Sequence, residues 1–243
     1  MLKFKILSTR QLDPSLVELA KQQGIEITEI EFISIHPIST EDKLKEVQAW
    51  AMAAESYAAF TSAHAVTSVD KFLHQHHTVL ATDWKIFCLQ GRTKQAIMNA
   101  AVLNRDIVGE AANATSLARL IVSKGVKEII FFCGDKRRDE LPDTLKKQGV
   151  MVHEVVVYET RERPAEIRDG FDAVLFFSPS AVESFFSRNQ LPARTVCFAI
   201  GDTTAQSISK HTANKVLTSG IPEQEAVVNL AASYLNSNEF KNI

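Results

Sequence analysis

The chain has 243 residues, 45% of them apolar and 23% charged, with a formal net charge of −2 at pH 7. These values fit one large folded domain or two small ones, and they give no support to a nucleic-acid binder, which is usually basic. An anionic partner would have to be met by local charge. Cys88, Cys133 and Cys197 are too few and too scattered for a disulfide framework, and each sits in an apolar run, so buried free thiols in a reducing compartment are expected. The opening "MLKFKILSTR" has no signal-peptide core, and no apolar run approaches the roughly 18 residues of a membrane span. A cytoplasmic protein with no membrane contact is the expectation.

In chain order, "FKILSTRQ" (4–11) reads as a strand and a polar turn with arginine. "ELAKQQGIEITEIEFISI" (18–35) reads as a helix, its closing glycine and more strand. A proline breaks "SIHPIST" (34–40). Three pieces follow. "YAAFTSAHAV" (57–66) is a strand, Phe-x-Ser and a helix start, and "IFCLQGRTKQAI" (86–97) is a strand, Gly-x-Thr and a helix. "DIVGEAANATSLARLIV" (106–122) is a short strand, a polar loop and an amphipathic helix. The four kinds of piece then recur. "EIIFFCGDKRRDEL" (128–141) and "DTLKKQGVMVHEVVVYET" (143–160) repeat the arginine piece. "AVLFFSPSAV" (173–182) repeats the serine piece, and "VCFAIGDTTAQSI" (196–208) repeats the glycine piece. "KVLTSGIPEQEAVVNLAASYL" (215–235) repeats the loop piece. A second proline-bearing stretch, "YETRERPAE" (158–166), precedes the second serine piece.

Strands alternating with helices of about 10–15 residues predict parallel sheet with right-handed crossovers. Four pieces occurring twice describe a tandem duplication rather than a solenoid. Each set supplies about five strands, which suits a flavodoxin-like lobe. The stretch between the two proline-bearing segments holds one complete set, and the chain's two ends make the other. This predicts a continuous lobe over residues 37–160 and a discontinuous lobe from 1–36 plus 165–243. The chain would cross near 34–40 and 158–166, and the crossings could pair as a short antiparallel ladder and serve as a hinge. One mixed sheet of nine or ten strands is the alternative.

In open parallel sheets ligands gather at the carboxyl ends of strands, where helix N-termini offer free N–H groups. Arg10, Ser62, Gly91, Gly134, Ser178 and Gly201 fall at such ends. Each also has a plainer reading. Ser178 before Pro179 is a natural N-cap, Ser180 with Glu183 would form a capping box shifted along the chain, and Ser62 would cap as well. Gly91 and Gly201 would permit tight turns. Thr203 and Thr204 would cap "TAQSI". Arg10 and Arg138 would be solvated arginines worth about 0–1 kcal/mol per ion pair. Tyr158 closes the apolar run "VHEVVVY" at the second crossing, where it could bury its ring or present its hydroxyl. In "HQHH", His74 and His77 would share a helix face, but no neighbouring acid or cysteine completes a ligand set, so no metal is expected.

Taken in order, "ILSTR", "FTSAHAV", "LQGRT", "FFCGDKRRDEL", "VVVYET", "FFSPSAVESFF" and "FAIGDTTAQSI" give the chain a resemblance, over nearly its whole length, to the uroporphyrinogen-III synthase family. The resemblance implies two flavodoxin-like parallel-sheet lobes joined by a two-stranded linker. It implies a cyclising hydro-lyase that closes hydroxymethylbilane, a linear tetrapyrrole with eight carboxylates, to uroporphyrinogen III. The last pyrrole is inverted and water is lost, with no metal or organic cofactor. It implies Tyr158 as the main functional side chain and Thr204 as a substrate-facing hydroxyl. Arg138 matches the family's second arginine, and the strand-end residues Arg10, Ser62, Gly91, Ser178 and Gly201, with Thr203, are the further candidate substrate contacts. Two turns depart from the family pattern. Lys94 stands where the family has threonine, one place after Thr93, so either Thr93 substitutes or Lys94 meets a carboxylate itself. Cys133 stands where many relatives have arginine. A monomer is expected, and contact with the deaminase that makes the substrate stays open. A two-lobed binder of a small anion without chemistry, or a relative with lost activity, are the competing readings.

Overall fold

In a computed structural model, the chain is described over residues 3–38, 40–52, 56–77, 84–103 and 106–241. Ser39, in the first crossing, lies outside them. The elements begin with β1 (Phe4–Ser8), α1 (Pro14–Gln22), β2 (Ile25–Glu29) and β3 (Ile33–Pro37). Next come α2 (Glu41–Met52), β4 (Tyr57–Phe60), α3 (Ala63–Gln75), β5 (Lys85–Leu89), α4 (Arg92–Met98), β6 (Ile107–Ala111) and α5 (Ala114–Ser123). They continue with β7 (Glu128–Gly134), α6 (Glu140–Lys147), β8 (Met151–Glu162), β9 (Ala173–Phe176), α7 (Pro179–Phe186) and β10 (Val196–Ala199). The last are α8 (Asp202–Ser209), β11 (Val216–Thr218), α9 (Gln224–Leu235) and α10 (Asn238–Lys241). Among the described residues no helix is long and apolar enough to cross a membrane.

The chain divides into two compact units, residues 1–34 with 161–243 and residues 35–160. The first holds a five-stranded sheet in the order β11-β10-β9-β1-β2. If its strands are numbered from β1, the order is 2-1-3-4-5, that of flavodoxin-like folds. The second sheet runs β3-β8-β7-β4-β5-β6. Numbered from β7, with the edge strand β3 set aside, its order is again 2-1-3-4-5. The pieces matched in the sequence therefore hold the same places in both sheets, with β1 and β7 as first strands and β4 and β9 as third strands. β3 is a sixth strand beyond the five expected per set. Its neighbourhood carries the crossing: Ile38 N–H donates to Val157 C=O at 3.0 Å and Arg163 N–H to Phe32 C=O at 2.8 Å. One segment climbs from 32 to 38 while its partner falls from 163 to 157, so the pairing is antiparallel.

The strands are apolar on both faces because both faces are covered. In the first unit Ile6, Leu175 and Phe198 pack into one cluster, and Leu7, Phe176 and Cys197 into the opposite one. In the second, Phe60, Cys88 and Phe132 lie on one side, with Ala59, Phe87 and Phe131 on the other. This is the period of two expected for strands. The three cysteines are buried and free. Burial pushes the Cys88 and Cys133 thiols up to about 11 and that of Cys197 to about 12, which keeps them protonated and unreactive at neutral pH.

The helices begin where side-chain acceptors stand. Asp13 takes Ser15 N–H at 2.9 Å ahead of Pro14, and Asn113 takes Ser116 N–H at 2.9 Å. Ser178 takes Ala181 N–H at 3.2 Å ahead of Pro179. The capping box expected from Ser180 and Glu183 gives way to another pairing. Glu183 accepts from Ser207 Oγ at 2.8 Å and lies 2.9 Å from His211 Nε2. Burial pushes its carboxyl up, but those two bonds outweigh it and hold the group below the ordinary range. Once helix packing brought Ser207 and His211 within reach, a local cap had nothing further to offer this side chain.

The sheet order has a testable consequence. β1 pairs with β2 and with β9, and β9 lies beyond the second crossing. A fragment of residues 37–160, which holds β4 to β7 and most of β8, is expected to fold alone. In a fragment of residues 1–160, β1 and β2 lack β9 and should remain an unprotected, aggregation-prone edge. Amide exchange measured on both fragments checks this, and protection of residues 4–8 in the longer one would contradict it.

Candidate functional site

Tyr158 lies on β8 opposite Gly134, the last residue of β7, in a sheet where β7 separates β8 from β4. Its ring crosses the end of β7, and its Oη lies 3.0 Å from Ser62 Oγ, just past the end of β4. The crossing needs a residue without a side chain beneath it. A Cβ on Gly134 would stand 2.4 Å from Tyr158 Cζ, 2.5 Å from Cε2 and 2.7 Å from Oη. Gly134 thus serves clearance rather than backbone freedom. The strand end is held in place as Asp135 N–H donates to Tyr158 C=O at 3.1 Å and Thr160 N–H donates to Asp135 Oδ1 at 2.8 Å.

Ser62 is also the N-cap of α3 and accepts His64 N–H at 3.2 Å. The oxygen that caps α3 is the same one that meets Tyr158 Oη. The His64 ring meets the Tyr158 ring edge-on, centroids 5.8 Å apart. Burial pushes the Tyr158 phenol above its ordinary value near 10, the Ser62 bond partly opposes this, and Cys133 and Asp135 add to it. The phenol is therefore protonated at neutral pH. A half-buried ring with a hydroxyl at the sheet's carboxyl edge can hold a proton and give it to a departing oxygen.

At the neighbouring strand ends of this unit the expected residues divide. Gly91 has φ 68°, a conformation that favours glycine. Thr93 is buried, and Lys94 is half-buried and paired with Glu110 at 2.6 Å across the ends of β5 and β6. That bond raises the Lys94 ammonium and lowers the Glu110 carboxyl from their ordinary values. A carboxylate does meet Lys94, then, but it belongs to the protein. Arg138 is exposed, whereas Arg137, which the sequence reads only as an extra charge, bridges Asp139 and Glu154. α3 ends at Gln75 with His76 as its C-cap. Among the described residues no cluster of three or more metal-ligating side chains is found.

In the unit of residues 1–34 and 161–243, the Arg10 guanidinium lies 5.6 Å from the Phe177 ring centroid and links the ends of the adjacent strands β1 and β9. Thr9 Oγ1 donates to Leu175 C=O at 2.8 Å across the same gap. Gly201 precedes α8 with φ −179°, extended backbone open to any residue, and a Cβ there would meet nothing within 4 Å. The tight-turn expectation for Gly201 therefore fails. Thr203 is half-exposed and Thr204 is 1% exposed. A cavity of about 520 Å³ beside β1 and β2 is lined by Gln11, Glu29, Glu31 and Arg163, with Arg163 3.6 Å from Glu31. Two carboxylates make it a poor seat for an anion.

Sequence reasoning overlooked His64 and the clearance role of Gly134. "FTSAHAV" does place His64 two residues after the cap, in the first helical turn, so that signal was present. Replacement of Gly134 by alanine should force the Tyr158 ring off the end of β7 and cost about 1–3 kcal/mol of stability. The double variant Gly134→Ala/Tyr158→Ala should lose less than the sum of its single changes, because the clash is gone. Urea unfolding of the three variants measures this, and additive losses would show that the ring does not bear on Gly134.

Residues 14–229 match the family described as uroporphyrinogen-III synthase HemD. The uroporphyrinogen-III synthase of Saccharomyces cerevisiae is 25% identical over 179 residues, and the match spans 61% of this chain and 64% of the yeast protein's length. A mutant uroporphyrinogen III synthase from Thermus thermophilus superimposes with a TM-score of 0.65 at 15% identity, over 96% of this chain and 97% of that one. The Helicobacter pylori uroporphyrinogen-III synthetase gives 0.64 at 14% identity, over 95% and 99%. At such identities the superpositions establish the two-lobed α/β fold. The family rests on the sequence match, which covers most of the chain: this protein belongs to the uroporphyrinogen-III synthase family.

Proposed function

We propose that the chain is a uroporphyrinogen-III synthase, a cyclising hydro-lyase of tetrapyrrole biosynthesis. Its substrate would be hydroxymethylbilane, closed to uroporphyrinogen III with inversion of the last pyrrole. The observation that supports this most directly is the protonated phenol of Tyr158, held across Gly134 against Ser62 at the carboxyl edge of its sheet. The reaction removes one water and changes no oxidation state, so its demands are a proton for the departing hydroxyl and control over the substrate's shape. The proton on Tyr158 Oη would leave with the hydroxyl as water while the C–O bond breaks. The proton released when the new C–C bond restores an aromatic pyrrole balances the account.

Shape control is the harder demand, because the free substrate also closes unaided to the uninverted isomer. Orientation supplies most of such an advantage, and N–H groups aimed at charge supply the rest. In this reading Arg10, Ser178 and the helix starts at Gly91, Gly201, Thr203 and Thr204 receive the substrate's carboxylates, and Thr93, Lys94 and Arg138 border it. Lys94 would exchange Glu110 for a substrate carboxylate or stay with it.

The test is a coupled assay. Porphobilinogen and a deaminase generate the substrate, the protein is added, and the oxidised products are separated by isomer. The inverted isomer should dominate, and the uninverted isomer alone would overturn the reading. Tyr158→Phe should slow inversion by about 10²–10⁴-fold, or roughly 3–5 kcal/mol of barrier, with about 1 kcal/mol lost in stability. Thr204→Val should slow it less, as one contact among many to a large ligand. A Tyr158→Phe protein with wild-type rate and stability would remove the phenol from the chemistry.

A further inference from the structure

We propose that Ser62 is a positioning residue for the phenol, its hydroxyl donating to Tyr158 Oη so that the tyrosine's own proton points outward to the departing hydroxyl. The inference rests on the reading of Tyr158 as the proton donor. Its ground is that either hydroxyl of the Ser62–Tyr158 pair can donate, and only one direction leaves the phenol proton free for a substrate. Ser62 Oγ has one proton to give and lone pairs to receive, and it already accepts His64 N–H at 3.2 Å. Its second contact is Tyr158 Oη at 3.0 Å. If the phenol were the donor, its proton would be spent inside the protein. With Ser62 as donor, the chain runs His64 N–H to Ser62 Oγ–H to Tyr158 Oη–H, each oxygen accepts one bond and gives one, and the last proton is left for the substrate.

Such a chain polarises in one direction, since an oxygen that accepts becomes a better donor. It begins at the N-terminus of α3, a helix of 13 residues whose dipole favours negative charge at that end. As the phenol proton passes to the hydroxyl, the C–O electron pair leaves with oxygen as water. The negative charge left on Oη then meets Ser62 O–H and, behind it, the first turn of α3. The other ionisable groups near the phenol are the His64 ring on α3, Cys133 on β7 and Asp135 in the turn after it. Cys133 and Asp135 disfavour a phenolate, and the Ser62 bond favours it. The corresponding place in the other unit is built differently. There Ser178 caps α7 by accepting Ala181 N–H, and Glu29 stands opposite the last residue of β1 and accepts Leu12 N–H at 2.5 Å.

The experiment compares full-length wild type, Ser62→Ala, Ser62→Thr, Tyr158→Phe and Asn113→Ala. Ultraviolet titration of the phenols without substrate, with Tyr158→Phe identifying the Tyr158 transition, reads the contact directly. Ser62→Ala should move that transition to higher pH and lower kcat for inversion about 10–100-fold with little change in KM. Ser62→Thr keeps a hydroxyl and a cap, and should restore both. Asn113→Ala removes the cap of α5 in the same unit and should leave titration and kcat at wild-type values, which separates a lost cap from a lost donor. A Ser62→Ala protein with an unmoved phenol transition and wild-type kcat overturns the inference. So does a loss of rate that Asn113→Ala shares. A wild type that yields only the uninverted isomer would sink the proposed function instead, while the titration still decides the Ser62–Tyr158 bond.

Discussion

β1 lies between β2 and β9, so Ile6 pairs with Ile27 on one side and with Ala173 on the other. That parallel pairing makes the chain return to its first sheet after more than a hundred residues. A parallel sheet has both faces under helices and its inner strands bonded on both sides, so β1 cannot be satisfied by its own neighbourhood. Everything from β4 to the greater part of β8 is spent before the partner of β1 arrives. The second sheet is therefore built wholly inside a pause in the first. The two crossings follow from this, since a chain that leaves one sheet to build another must also return.

The same arrangement explains where the candidate site's side chains fall. In a parallel sheet all strands end on one edge, and each helix begins there. Residues far apart in the chain meet at that edge simply because each follows a strand. Ser62 and Gly134 are 72 positions apart, and Tyr158 lies 24 further on, yet the order β8-β7-β4 sets them side by side. The ring of Tyr158 can reach over one strand to the next only because the strand between them ends in glycine. A side chain at position 134 would turn a reaching tyrosine into a blocked one.

The two sheets share one strand order but differ at the ends of their first strands. The first strands of the two units end in Ser8 and Gly134, paired with Glu29 and Tyr158 respectively. Glu29 accepts Leu12 N–H just beyond the end of β1, and Tyr158 reaches across the sheet to a helix start. The cysteines show the opposite tendency. All three sit in buried strands, where desolvation keeps the thiol neutral and the side chain acts as a small apolar one.

The sequence by itself determined the alternation of strands and helices, because continuous apolar runs such as "AVLFF" and "IIFFC" and caps such as Asp13-Pro14 and Ser178-Pro179 are local signals. It also determined the recurrence of four pieces in a fixed order, which needs no coordinates to be seen, and the motifs that marked the family. Tertiary structure alone decided which polar groups meet. Glu183 looked like a local cap and became a partner of Ser207 and His211, because a carboxylate takes the donors that packing delivers. Lys94 looked free for a ligand and stands paired with Glu110, which reaches it from the neighbouring strand. Gly201 looked like a turn glycine and is extended, while the need for Gly134 came from a ring 24 residues away. Periodicity and capping are written in neighbouring residues, so they can be read along the chain. Register across a sheet is set by hydrogen bonds between distant strands, and only the folded chain brings a tyrosine over a glycine and onto a serine.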